Sequence, residues 1–180
     1  MHALSAFMKG VTRMNKVIGK WVSYLIFAMF AFLLLEVGFR YLFNAPTVWT
    51  NELTQMLFGV YAVMSGGYIM AHRGHVNVDL VYSHMGPRLQ ATTDILTSTV
   101  FFAFTLALLY FGVDIARESI ASMETSYSAW NPPIWPVKLA IPIGTGLLVL
   151  QGLVKLLEDI AIAFNLSYYQ PESPDAGDPL

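Results

Sequence analysis

The chain has 180 residues, of which 56% are apolar, 14% aromatic and only 12% charged, with a formal net charge of −2 and no cysteine. Soluble domains average ~25% charged residues, so this composition, at a mean hydropathy of +0.54, excludes an ordinary water-facing surface. The near-neutral charge excludes a nucleic-acid footprint, and the lack of Cys excludes disulfide scaffolds and Cys-ligated zinc or iron–sulfur centres.

At the N-terminus Leu4, Phe7, Met8, Val11, Met14 and Ile18 recur at helical spacing, while Lys9, Arg13, Lys16 and Lys20 occupy another face at i, i+4, i+7 and i+11. This pattern predicts a basic amphipathic helix over 1–20. Two dispositions stay open. The helix lies on the inner leaflet with its cations toward anionic headgroups, or it extends the first spanning helix into the cytoplasm. Four apolar stretches follow, at 21–39 (interrupted only by Glu36), 53–71, 95–113 and 139–154, the last reaching back through Lys138 to Ile134. At ~1.5 Å per residue, 19 residues give roughly 28 Å of helix against a hydrocarbon core of ~30 Å. A soluble four-helix bundle needs a polar stripe on every helix, and the second and third stretches have none. The expected fold is therefore an all-α membrane protein with four transmembrane helices, its membrane domain spanning 21–165. The first run is too long for a signal-peptide core and lacks a small-x-small cleavage site, which predicts an uncleaved helix.

Gly86-Pro87 marks a helix start, because Pro suits the first helical position. That helix runs on past Val113 into 116–121, longer than the bilayer is thick, which implies tilt or protrusion. Pro132, Pro133 and Pro136 predict an extended segment before the last span, and Trp130 and Trp135 suit an interfacial aromatic belt. Pro142, Gly144 and Gly146 inside that span are tolerated in membranes. The tail at 166–180, rich in Pro, Asp and Glu, is expected to be disordered and acidic, and the Asn165-Leu166-Ser167 sequon is discounted on a cytoplasmic segment. Lys9, Arg13, Lys16, Lys20, Arg73, Arg88 and Lys155 fall on one side of the four spans, and Arg40, Arg117 and Lys138 on the other. The positive-inside rule then places both termini in the cytoplasm.

Few residues offer chemistry. Thr99, Ala103 and Ala107, and Gly59, Ala62, Ser65 and Gly66, mark faces where helices approach closely, within the bundle or against a second membrane protein. Glu36 precedes Arg40 by one turn, the favourable order for a helical pair. Glu52 sits at the positive dipole end of the second span, with Trp49 just before it. Asp114 has Arg117 three residues on. His72, His75 and His84 fit no strong metal spacing, and Asp79 is positioned to cap a short helix over 80–85. No histidine is mid-span, as axial haem ligation would require. No nucleophile–base pair or phosphate-binding glycine loop is present, so no enzyme and no cofactor of this chain are expected. With a single interrupted span there is little material for a coupled transport site, which points to an accessory subunit.

The run Gly38-Phe39-Arg40-Tyr41-Leu42-Phe43-Asn44-Ala45-Pro46-Thr47-Val48-Trp49-Thr50-Asn51-Glu52-Leu53 resembles the RYxFNxPxxWxxEL signature of the DctQ-type small membrane subunit of TRAP (tripartite ATP-independent periplasmic) transporters. Arg73-Gly74-His75-Val76-Asn77-Val78-Asp79-Leu80 looks like that family's second conserved stretch, and the four-span layout agrees. Asn51 departs from the pattern, since many members carry a second acid there. The resemblance covers about residues 15–160. It implies a small scaffold subunit in the bacterial inner membrane, docked to a large DctM-type subunit that holds the sodium and substrate sites and moves elevator-wise. A periplasmic substrate-binding protein would deliver an organic acid. Under this reading Glu36, Arg40, Asn44, Pro46, Trp49, Glu52, His75 and Asp79 are the motif and partner-interface candidates. Asn44 and Pro46 would shape the turn, and Arg40 would pair with Glu36 or Glu52. The partner is expected in a separate chain, and membrane lipids are expected contacts. The alternatives are a membrane anchor of a redox enzyme or a stand-alone four-helix membrane protein.

Overall fold

The computed structural model describes residues 2–72 and 86–164. His75, Asp79, the short helix expected at 80–85, the sequon and the acidic tail lie outside the described residues. Among the described residues five helices follow one another: α1 His2–Ser23, α2 Leu25–Leu42, α3 Thr50–Ala71, α4 Pro87–Ala121 and α5 Trp135–Ala163. Among the described residues the only extended pairing is one antiparallel bridge between Thr125 and Pro133.

Four helical units are long and apolar enough to cross a membrane, and the first of them, Leu4–Leu42, takes in both α1 and α2. These two form one bent rod. Tyr24 keeps helical angles, φ −66° and ψ −19°, but the bonding around it tightens. Tyr24 N–H donates to Trp21 O at 3.2 Å and Phe27 N–H to Tyr24 O at 3.1 Å, while Ser23 Oγ donates to Lys20 O at 2.7 Å. Bonds to i−3 and serine back-bonding both bend helices, so this elbow forms without a proline. At 35 residues α4 is roughly 52 Å long, well beyond a ~30 Å hydrocarbon core, as its sequence implies.

The contacts define an open layer. α5 is the hub, packed lengthwise against both α3 and α4, while α2 packs chiefly on α3 and α1 crosses α3 and α5. The order across the layer is α2–α3–α5–α4. α3 and α5 run parallel, with Gly59 facing Val137, Val63 facing Gly144 and Gly66 facing Leu148. α4 runs the other way, Gly112 meeting Ile141 and Phe101 meeting Gly152. The small residues thus divide. Gly59 and Gly66 face α5, but Ala62 and the Thr99, Ala103, Ala107 stripe are exposed. α4 instead turns Phe101, Thr105, Gly112 and Ala116 toward the interior.

The layer has two distinct ends. At one, α1 crosses the helices near the elbow. At the other, residues 122–134 close a hairpin between α4 and α5. Its prolines do not simply hold the chain extended: Ser126 N–H donates to Pro132 O and Ile134 N–H to Glu124 O, both at 3.0 Å, and Pro132 is buried. Tyr127 and Asn131, at φ 54° and 53°, turn the chain.

The helix contact at Gly144 is tight enough to test. A Cβ there would stand 2.8 Å from Val63 O and 3.0 Å from Val63 C, whereas one at Gly146 would meet nothing within 4 Å. Backbone cannot yield as a flexible side chain can, so Gly144→Ala is expected to cost about 1–3 kcal/mol. Gly146→Ala is expected to be neutral or slightly stabilising. Unfolding midpoints in detergent distinguish the two.

Candidate functional site

The motif residues gather at the hairpin end, where α2 turns into α3. Asn44 takes a left-handed conformation, φ 53°, which Asn tolerates better than most residues. This lets Ala45 N–H reach back to Phe39 O at 3.0 Å, closing α2 and swinging Pro46 and Thr47 over its last turn. There they meet Glu36, a buried carboxylate. Arg40 binds Oε1 through Nη2 and through Nε, the latter at 3.1 Å. On Oε2 converge Thr47 N–H at 3.1 Å, the Thr50 hydroxyl at 2.8 Å and the Thr47 hydroxyl. The Thr47 and Thr50 hydroxyls also bond each other. Both carboxylate oxygens are thus committed to this chain's own donors. The cluster ties the end of α2 to the start of α3 and leaves no acceptor for a ligand.

Around it sits an aromatic and polar rim. Trp49 stacks edge-on to Phe32 at 5.8 Å between ring centres and lies 6.4 Å from Trp130 of the hairpin. Of the two partners expected for Arg40, Glu36 is the one used. Glu52 instead accepts a hydrogen bond from Ser128 Oγ at 2.6 Å, tying α3 to the hairpin. Lys138 of α5 pairs with Glu124 of the hairpin at 2.5 Å, and that ammonium holds the Glu124 carboxyl below the usual carboxylate range. Asp114 and Arg117, spaced for a pair, do not form one among the described residues.

A second polar cluster lies at the elbow end, at the crossing of α1, α3 and α5. Asn15 Nδ2 donates to Gln151 Oε1 at 3.1 Å and to Val11 O at 3.2 Å, and Gln151 Nε2 donates to Thr12 Oγ1 at 3.3 Å. Asn15 Oδ1 sits over Gly67, where a Cβ would come within 2.2 Å of it. Nearby, Lys155 binds Asp94 of α4 at 2.6 Å and Asp159 at 3.1 Å.

Arg40, Asn44, Pro46, Trp49 and Glu52 of the motif, with Glu36 one turn before it, all lie at this end of the layer. The motif did not single out Thr47 and Thr50, although a Thr-x-x-Thr run at a helix start is a recognisable source of hydroxyl donors. It also passed over Asn15, which lies at helical spacing from Met8 and Val11, and Gln151, an amide inside an apolar run. His72 stacks on Tyr68 at 4.2 Å and its Nδ1 lies 3.0 Å from Tyr68 O. Among the described residues no group of His, Cys, Asp or Glu is placed to hold a metal ion.

A stack of apolar spanning helices, pinned by a charged cluster at one end and an amide cluster at the other, defines a multi-pass helical membrane protein. Its family follows from sequence comparison. The family described as "Tripartite ATP-independent periplasmic transporters, DctQ component" matches residues 29–162, and the chain belongs to it: a small membrane subunit of a TRAP transporter, in a family of transporter components and not of enzymes. A curated relative, described as sialic acid TRAP transporter permease protein SiaT of Haemophilus influenzae (strain 86-028NP), is 22% identical over 106 residues. The aligned segment covers 59% of this chain but only 17% of that relative.

The Glu36 cluster sets one expected outcome and Glu124 another. Glu36→Ala removes the acceptor shared by Arg40, Thr47 and the Thr50 hydroxyl, and is expected to lower the thermal midpoint by more than Glu52→Ala, whose carboxylate meets one exposed serine. Thr50→Ala should cost about 1.5–3 kcal/mol, the range for a hydrogen bond to a charged group. Because the folded Glu124 carboxyl titrates below its ordinary value of 4.5, its tie to Lys138 is complete at neutral pH and is lost as pH falls through that lowered value. Hydrogen exchange at the Ile134 amide, corrected for intrinsic rate, should accelerate on acidification, and Lys138→Met should remove that dependence.

Proposed function

We propose that this chain is the scaffold subunit of a sodium-coupled, binding-protein-dependent secondary transporter for organic acids. It docks to and anchors a large, many-spanning subunit in the bacterial inner membrane, with both termini cytoplasmic. The large subunit holds the sodium and substrate sites and carries out the elevator movement, while a periplasmic binding protein delivers the substrate. This chain needs no cofactor for that part.

The observation that carries the reading is the open layer. α2 and α4 leave most of their apolar surface uncovered, and α3 adds a narrower exposed stripe, which suits a wall built to be covered by lipid on one side and by protein on the other. α3 is the least apolar of the four spans. Its uncovered face carries Gln55, Phe58, Ala62 and Ile69, and the Gln55 amide has no hydrogen-bond partner among the described residues. An unbonded amide is costly in hydrocarbon, and small and polar residues are what associating membrane helices use. That face supports docking of a helix from the large subunit. The ties at both ends support a stator, since a fixed frame must not deform when a neighbour slides along it.

Tagged protein drawn from its native membrane in mild detergent is expected to bring one large permease at near-equal amount. Ala62→Trp, on an uncovered face, is expected to leave the midpoint of the isolated chain unchanged and to cut that recovery by about tenfold, the equivalent of ~1.4 kcal/mol. Recovery of the chain alone, or of a redox enzyme, would overturn the reading.

A further inference from the structure

α1 carries three stripes, and its docking fixes what each one faces. Met8, Val11, Asn15 and Gly19 are buried against α3 and α5. Phe7, Met14 and Trp21, spaced two turns apart, stand 47%, 39% and 72% exposed. Lys9, Arg13, Lys16 and Lys20 are exposed too, and among the described residues none of the four forms an ion pair. At about 100° per residue, the basic stripe lies roughly 125° to one side of the buried stripe and the apolar stripe roughly 105° to the other. α1 contains no acidic residue to neutralise the cations internally.

The helix cannot roll to hide either exposed stripe. Asn15 and Gln151 are joined by a buried hydrogen bond, and Gly19 lies so close to Tyr68 that a Cβ would meet its ring at 2.2 Å. Two simple locations then fail. In the cytoplasm, α1 would hold Phe7, Met14 and Trp21 in water. Within the hydrocarbon, it would hold in lipid four cations that have no ion pair among the described residues. Only the boundary between the two satisfies both stripes. The course of the helix agrees. Traced back from Gly19 to Val11, its contacts pass from Tyr68 and Gly67 on α3 to Gln151 and Val154 on α5, so α1 crosses these helices instead of running alongside one. Trp21 and Tyr24, ring centres 6.1 Å apart, mark the elbow with the aromatic pair that membrane interfaces favour.

We propose that Lys9, Arg13, Lys16 and Lys20 form a binding surface for anionic phospholipid headgroups, in the leaflet where the elbow sits. The apolar stripe seats the helix at its depth. The amide cluster holds the basic stripe at a fixed angle, so the headgroup surface is prebuilt and does not fold on contact with lipid. This inference does not require the large subunit.

The test uses the full chain purified in neutral detergent, doped with phosphatidylglycerol or phosphatidylcholine, with retained lipid counted by native mass spectrometry. Phosphatidylglycerol should be retained in preference. Replacing Lys9, Arg13, Lys16 and Lys20 by Gln should weaken that retention by about fivefold for each cation removed, whereas Lys→Arg replacements should preserve it. Salt near 1 M, where screening acts over ~3 Å, should abolish the preference. Millimolar inorganic phosphate should not displace the lipid. Because the natural chain is cysteine-free, spin labels at Met14→Cys and Lys16→Cys in phosphatidylglycerol vesicles give a second readout that does not need the quadruple variant to fold. The first should be reached by oxygen from the bilayer and the second by an aqueous relaxant. Equal retention of both lipids, retention unchanged by the four substitutions, or both labels in the same phase would overturn the proposal.

Discussion

In hydrocarbon a polar side chain can bond only to other protein groups, and leaving one unbonded costs more than most contacts return. This constraint organises the whole chain. Glu36 is tolerated inside the membrane unit because five donor groups surround it. Asn15 and Gln151 are tolerated because Asn15 donates to Gln151 and to Val11 O while Gln151 donates to Thr12. Polar groups this demanding act as locators: an alternative packing that separated them would strand a charge or an amide. The first cluster fixes the turn between α2 and α3, and the second fixes where α1 crosses α3 and α5. Between the two, packing is set by contacts such as Gly144 against the Val63 backbone.

The open layer follows from where these ties fall. α5 carries more buried positions than any other helix among the described residues, including Gly144, Thr145 and Gly152, so the glycine- and proline-marked span is the interior one. Residues that weaken a helix in isolation are affordable where neighbours press on both sides. α2 and α4, each packed mainly on one neighbour, have large exposed apolar side chains along their length. A layer of this kind has little interior of its own, and its rigidity comes from cross-links at its ends. Such a construction is suited to bearing against something else.

Much of this was legible in the sequence, for identifiable reasons. Spanning helices announce themselves because lipid demands some twenty apolar residues in a row. The start of α4 at Pro87 and its overrun to Ala121 were legible because proline fixes the first turn and no breaker follows. The Glu36–Arg40 pair was legible because one helical turn separates them. Partners joined through tertiary structure were not. Thr47 and Thr50 are unremarkable threonines until Asn44 folds the chain back, and Asn15 and Gln151 are 136 positions apart. Small residues marked close-approach faces without saying which partner each one meets: Gly59 and Gly66 face α5, whereas the Thr99, Ala103, Ala107 stripe is exposed. The hairpin was hidden because its pairing uses main-chain groups around prolines, which a sequence shows only as an interruption.

The separation of Asn15 from Gln151 carries a consequence for biogenesis. The Glu36 cluster closes over a dozen or so residues and can form as soon as the first two spans have entered the membrane. The α1 crossing cannot be completed so early: Gln151 is made 136 positions after Asn15, so α1 can lean only on α3 until α5 is inserted. A helix with its own affinity for the bilayer surface can wait there without wandering or aggregating. Its amide cluster then acts as a completion check, closing only when α5 has arrived in the right orientation beside α3.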